Sequence, residues 1–121
     1  MFEVGTTLRI PEDSHLWIVV SPPCGENQEV LLVNLTTHDP GYEDCSCILE
    51  AGEHPFVRKC TVVNYGERGE IRKARVEALK LGVERGAISL GVPFQGPVLQ
   101  RILMGARTSR HIKRKFRLML S

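Results

Sequence analysis

Over the first two thirds of the chain, apolar residues fall in short runs set between polar turns, a pattern that predicts strands. Residues 5–10 (GTTLRI) mix β-branched and apolar side chains and stop at Pro11, where the polar turn PEDS begins. Residues 15–21 (HLWIVVS) are too short and too β-branched for a helix, and Pro22 and Pro23 end them. Every position from Leu16 to Val20 is apolar, which predicts a central strand covered on both faces. Residues 30–36 form the next strand, and HDPGYED reads as a loop. A short strand begins at 47–49, and the alternation in 60–65 (CTVVNY) predicts a half-buried strand ended by the GERGE turn. Residues 70–81 fit either a helix or an exposed strand, and a strand or mixed segment is expected there. The Gly-rich stretch 82–96 holds a weak strand, GAISLGV.

At Pro97 the period changes. Val98, Leu99, Ile102, Leu103 and Ala106 repeat at helical spacing, Pro97 suits the first turn, and Ile112 and Phe116 extend the stripe. The expected fold is mainly β, a small, strongly bent barrel over about 1–96. A C-terminal helix over about 97–112 packs against it, and 113–121 form a basic end.

With 121 residues, 42% of them hydrophobic, the chain suits one domain with its own core and is not a disordered polymer. Its longest apolar run, Leu16 to Val20, is five residues, far short of a membrane span. The N-terminus lacks a basic start followed by an apolar stretch, so a cytoplasmic location and four reduced cysteines are expected. The net charge of +2 conceals a strong asymmetry. Residues 1–53 carry a net −9, residues 54–121 a net +11, and no acid follows Glu84. Such a distribution predicts a surface that faces a polyanion, most often nucleic acid, or else a basic tail that solubilises the chain or docks an acidic protein.

Cys45, Cys47, His54 and Cys60 are four soft ligands within sixteen residues, but the one-residue gap of the first pair is not the CxxC spacing of zinc sites. No metal and no cofactor is expected. The histidines point elsewhere. Two imidazoles beside one phosphate can share general base and general acid duties, which suffices to drive attack of a ribose 2′-hydroxyl on its own phosphate. His15 opens a strand, and His54 sits in a loop just ahead of Arg58 and Lys59, cations suited to the charge developing on phosphoryl oxygens. Thr36 and Thr37 close an apolar strand with hydroxyls that can hold a phosphate or a base edge. Arg107, Arg110, Arg114 and Arg117 are spaced to line one helical face. Tyr42, Phe56 and Tyr65 are candidate base platforms, whereas Trp17 belongs to the core.

HLWIVVSPP, VLLVNLTT, CTVVNYGERGEI and the helical stretch 98–112, taken in this order, resemble the PemK/MazF-like toxin endoribonucleases. The resemblance touches most of residues 5–112 and implies an SH3-like barrel with a C-terminal helix, a homodimer and an antitoxin that masks the RNA groove. Active members carry an arginine, and a polar group two residues later, where this chain has Asn64 and Gly66. His15 stands where the family has an arginine before its proline, and the long first loop is reduced to PEDS.

Three readings follow. The first is a metal-independent toxin endoribonuclease acting on single-stranded RNA, with His15, His54 and Arg58 catalytic. Thr36, Thr37, Lys59, Asn64, Arg107, Arg110 and Arg114 would then contact RNA. The second is an inactive barrel that binds nucleic acid or a protein, and the third an assembly module pairing acidic and basic halves head to tail. Neither the first nor the second involves a membrane.

Overall fold

The computed structural model describes residues 2–11 and 13–120. In chain order its elements are β1 (Thr7–Arg9), β2 (Trp17–Val19), β3 (Glu29–Thr37), β4 (Ile48–Leu49), β5 (Thr61–Asn64) and β6 (Arg72–Arg75), then α1 (Val76–Glu84), β7 (Ser89–Leu90), α2 (Gly96–Thr108) and α3 (Arg114–Arg117). The molecule is mainly β. Among the described residues, seven strands pair antiparallel in one sheet of order β4-β5-β3-β2-β1-β7, with β6 also on β3.

The nine-residue β3 organises the sheet. One edge pairs with β2, Trp17 opposite Asn34 and Val19 opposite Leu32. The other edge serves two partners in succession, β6 along 29–32 and β5 along 34–37. The turn joining β5 to β6 depends on Asn64. Its Oδ1 accepts from the Gly66 N–H at 2.9 Å, the Arg68 N–H at 3.3 Å and the Tyr42 hydroxyl at 3.1 Å. Its Nδ2 donates to the carbonyls of Arg68 (2.8 Å) and Gly69 (3.3 Å) and to Asn34 Oδ1 (3.3 Å).

Alternation along β2 builds a core on each face of the sheet. Leu16, Ile18 and Val20 join Leu31, Val33, Leu35 and Ile102 and Ala106 of α2. Trp17 and Val19 join Phe2, Leu8, Val30, Leu32 and Leu79 of α1. The five-residue apolar run is thus a central strand, as its composition dictates. β5 departs from the half-buried expectation, being buried at all four positions: Val63 joins the core shared with α2, and Asn64 is enclosed by the turn it holds. The ambiguous segment is mixed, β6 passing directly into α1.

α2 begins with Pro97 in its first turn but stops at Thr108, short of the expected 112. Gly105 lets it approach β5 closely, and the Tyr65 hydroxyl donates to the Ile102 carbonyl at 2.6 Å. Past Ser109 the chain turns, and Ile112, just ahead of α3, and Phe116, within α3, reach the same core from this separate segment. The Arg117 guanidinium donates to the carbonyls of Arg107 and Ser109, capping the end of α2. Arg107, Arg110 and Arg114 therefore do not share one helical face. Among the described residues, no helix is long and apolar enough to cross a membrane.

Candidate RNA-binding groove

The site begins with the turn before β2. Asp13 accepts the His15 main-chain N–H at 2.8 Å on one carboxylate oxygen and the Trp17 indole N–H at 3.1 Å on the other. Partial burial pushes the Asp13 carboxyl up. The His15 amide, the Trp17 indole and nearby positive charge outweigh it, so the net shift is downward. With its backbone so fixed, His15 sends Nδ1 to within 3.0 Å of the Leu35 carbonyl oxygen. A carbonyl only accepts, so Nδ1 carries the proton, and in the neutral ring Nε2 keeps its lone pair.

His15 lines an open groove of about 330 Å³ with Ser14, Leu35, Thr36, Thr37, Phe56, Arg58, Lys59 and Thr61. These residues come from the entry to β2, the end of β3, the start of β5 and the loop before it. Thr37 pairs with Thr61 across β3 and β5, and the Thr61 hydroxyl donates to the Lys59 carbonyl at 2.8 Å. Two cations, three threonine hydroxyls and an imidazole line the groove, and among the described residues no carboxylate does. The lining suits an anion with a nearby proton to transfer.

Of the residues selected from sequence, His15, Thr36, Thr37, Arg58 and Lys59 thus meet in one place. His54 does not. It is 7% exposed and its ring is fully engaged. Nδ1 accepts the Phe56 N–H at 3.0 Å, so Nε2 is the protonated nitrogen and donates to the Val92 carbonyl at 2.6 Å. The ring also stacks on Phe94, centroids 4.1 Å apart. With no nitrogen open to a substrate, His54 is a structural residue. It buckles the 50–57 loop to the segment around Val92, while Glu53 ties the loop to Arg101 of α2. That buckle carries Phe56, Arg58 and Lys59 to the groove.

Asn64 is also corrected. It is wholly buried and its amide is saturated by the turn it organises, which leaves nothing to offer RNA. Tyr42 and Tyr65 are buried and cannot serve as base platforms. Arg107 flanks a shallow depression with Val4, Val20, Leu103 and Leu120, at the opposite end of the β2 segment from His15. Arg110 and Arg114, on the segment after α2, also lie outside the groove lining. Ser14 and Thr61 were missed. Thr61 enters through its pairing with Thr37, a contact that no local signal carries.

The four cysteines are free thiols. Cys47 is buried, which pushes its thiol up to about 11, and exposed Cys45 lies 3.9 Å from His38 Nε2. Among the described residues no three His, Cys, Asp or Glu side chains converge as metal ligands. No family model matches the chain, and neither a curated protein nor a solved structure matches it.

Proposed function

We propose that this protein is a toxin-type endoribonuclease on an SH3-like barrel, cutting single-stranded RNA by 2′-hydroxyl attack without a metal ion. One observation carries the reading. The Leu35 carbonyl holds the His15 Nδ1 proton, leaving Nε2 as the base in a groove lined by Arg58 and Lys59 and, among the described residues, by no carboxylate. Nε2 takes the 2′-hydroxyl proton, the 2′-oxygen bonds to phosphorus, and the bond to the 5′-oxygen breaks. Arg58 and Lys59 stabilise the charge on the phosphoryl oxygens, and Thr36 and Thr37 orient the phosphate. Because His54 is engaged elsewhere, water in the open groove protonates the leaving oxygen. The products are a 2′,3′-cyclic phosphate and a 5′-hydroxyl. A long strand with two successive partners on one edge, and a helix packed on one face, support the barrel form. The resemblance adds a homodimer and an antitoxin that covers the groove.

Incubation of a mixed-sequence RNA pool with the protein in EDTA tests this directly. Cleavage to cyclic-phosphate ends is expected, with His15→Gln slowing it about 10²- to 10⁴-fold while RNA binding persists. Intact RNA with wild-type protein, or full activity in His15→Gln, rejects the assignment. The engagement of His54 leaves one proton-transfer group in the groove, which favours a second reading: a module that binds RNA without turnover. Salt-dependent binding with no product would establish that alternative.

A further inference from the structure

The groove's cations and hydroxyls address the phosphates and sugars of a strand and leave its bases without a partner. Six of the seven aromatic residues, Phe2, Trp17, Tyr42, Tyr65, Phe94 and Phe116, are buried. Phe56 alone is partly exposed, and it lines the groove beside Arg58 and Lys59. The guanidinium of Arg9, the exposed last residue of β1, lies over its ring at 5.5 Å from the centroid. Arg9 also lines a neighbouring depression of about 480 Å³ with Asp13 and Ser89, and Ser14 borders both hollows. The Arg9–Phe56 pair thus joins a wall of one hollow to a wall of the other.

We propose that Arg9 and Phe56 form a subsite for one unpaired nucleobase flanking the phosphate held by Arg58 and Lys59. A planar guanidinium resting on an aromatic ring gives a base a flat, cationic stacking surface, and its N–H donors meet the acceptors on a base edge. The surface is preorganised. Bonding of the Phe56 N–H to His54 fixes one partner, and pairing of Arg9 with Ser89 fixes the backbone of the other. Stacking supplies contact with any base, so the subsite distinguishes unpaired strands from duplexes and from anions without bases. This inference rests on the RNA reading of the groove but not on cleavage.

The test uses uncleavable 2′-O-methyl octamers, one carrying adenine throughout and one wholly abasic, of equal length and charge. Fluorescence anisotropy with wild-type protein should show the base-bearing octamer binding about tenfold tighter, the scale of one stacked base. Phe56→Leu should abolish that preference without changing affinity for the abasic octamer, and Phe56→Tyr should retain it. Equal wild-type affinity for the two octamers overturns the proposal, as does a preference that survives Phe56→Leu. Binding of neither octamer overturns both the subsite and the RNA reading. A Phe56-dependent preference in a protein that cuts no RNA supports the subsite and removes the nuclease.

Discussion

Two histidines that look equivalent along the chain should respond to truncation in opposite ways. His54→Ala removes the donor to the Val92 carbonyl and the acceptor for the Phe56 N–H, two bonds worth about 1 kcal/mol each. It also removes the stack on Phe94, worth about 1 kcal/mol, and leaves a small cavity at a residue that is 7% exposed, for about 1 kcal/mol more. The expected loss is about 4 kcal/mol, which for a chain of this length lowers the thermal midpoint by roughly 15 °C. His15→Ala breaks one bond at a half-buried position, so about 1 kcal/mol and roughly 4 °C are expected. Its RNA cleavage should nevertheless fall about 10²- to 10⁴-fold. The assay pairs circular dichroism melts with initial cleavage rates at 10 °C, where both variants remain folded. A His54→Ala protein with an unchanged midpoint and no activity would refute the division of roles. So would a His15→Ala protein as destabilised as His54→Ala.

Further outcomes follow from the same geometry. Asn64→Ala strips the β5–β6 turn of its organiser and should cost about 3 kcal/mol in a urea titration, because Tyr42 and Asn34 lose a buried partner. An unchanged midpoint would return Asn64 to the list of RNA contacts. Gly105→Ala gains about 1 kcal/mol of helix propensity, but its Cβ would sit 3.0 Å from Cys47 Cβ and closer still to the Tyr65 ring. A net destabilisation of about 1–2 kcal/mol is expected, partly relieved by Tyr65→Phe. Iodoacetamide at pH 7.5 should modify exposed Cys45 in the folded protein and reach Cys47, whose thiol burial lifts to about 11, only on unfolding; mass spectrometry reads the sites. Asp13 is held below its ordinary range, so its stabilising effect is present above the unfolded carboxyl pKa of about 3.9 and lost as pH falls through the lower folded value. The stability gap between wild type and Asp13→Asn should therefore narrow below about pH 4, as followed by urea midpoints.

Strand positions were legible where the pattern was unambiguous. The run from Leu16 to Val20 announces a doubly covered strand, and both cores duly form on it. β5 misled because Thr61 and Asn64 put one polar group on each face and so imply partial exposure, yet the structure buries all four positions and uses Asn64 to hold a turn. The helix ends before its pattern does because Ile112 and Phe116 keep helical spacing while reaching the core from a separate segment. Within the groove, His15, Thr36 and Thr37 could be selected from strand ends, and Arg58 and Lys59 from their charge. The exclusion of His54 could not, since its two partners, Val92 and Phe56, become its neighbours only once the loop is folded. Local pattern names residue types suited to a chemistry, whereas long-range backbone partners decide which of them are spoken for.

The buckle at residues 50–57 separates two jobs within one loop. Its anchors, Glu53 and His54, bond through their side chains to Arg101 and to main-chain groups, while the side chains of Phe56, Arg58 and Lys59, in and just after the loop, turn outward to line the groove. Replacing the outward trio leaves the anchors untouched, so this position behaves like an interchangeable tool head on a fixed handle. Libraries randomised at 56, 58 and 59 should stay folded while their ligand preferences drift, giving a direct route to grooves re-aimed at other strands.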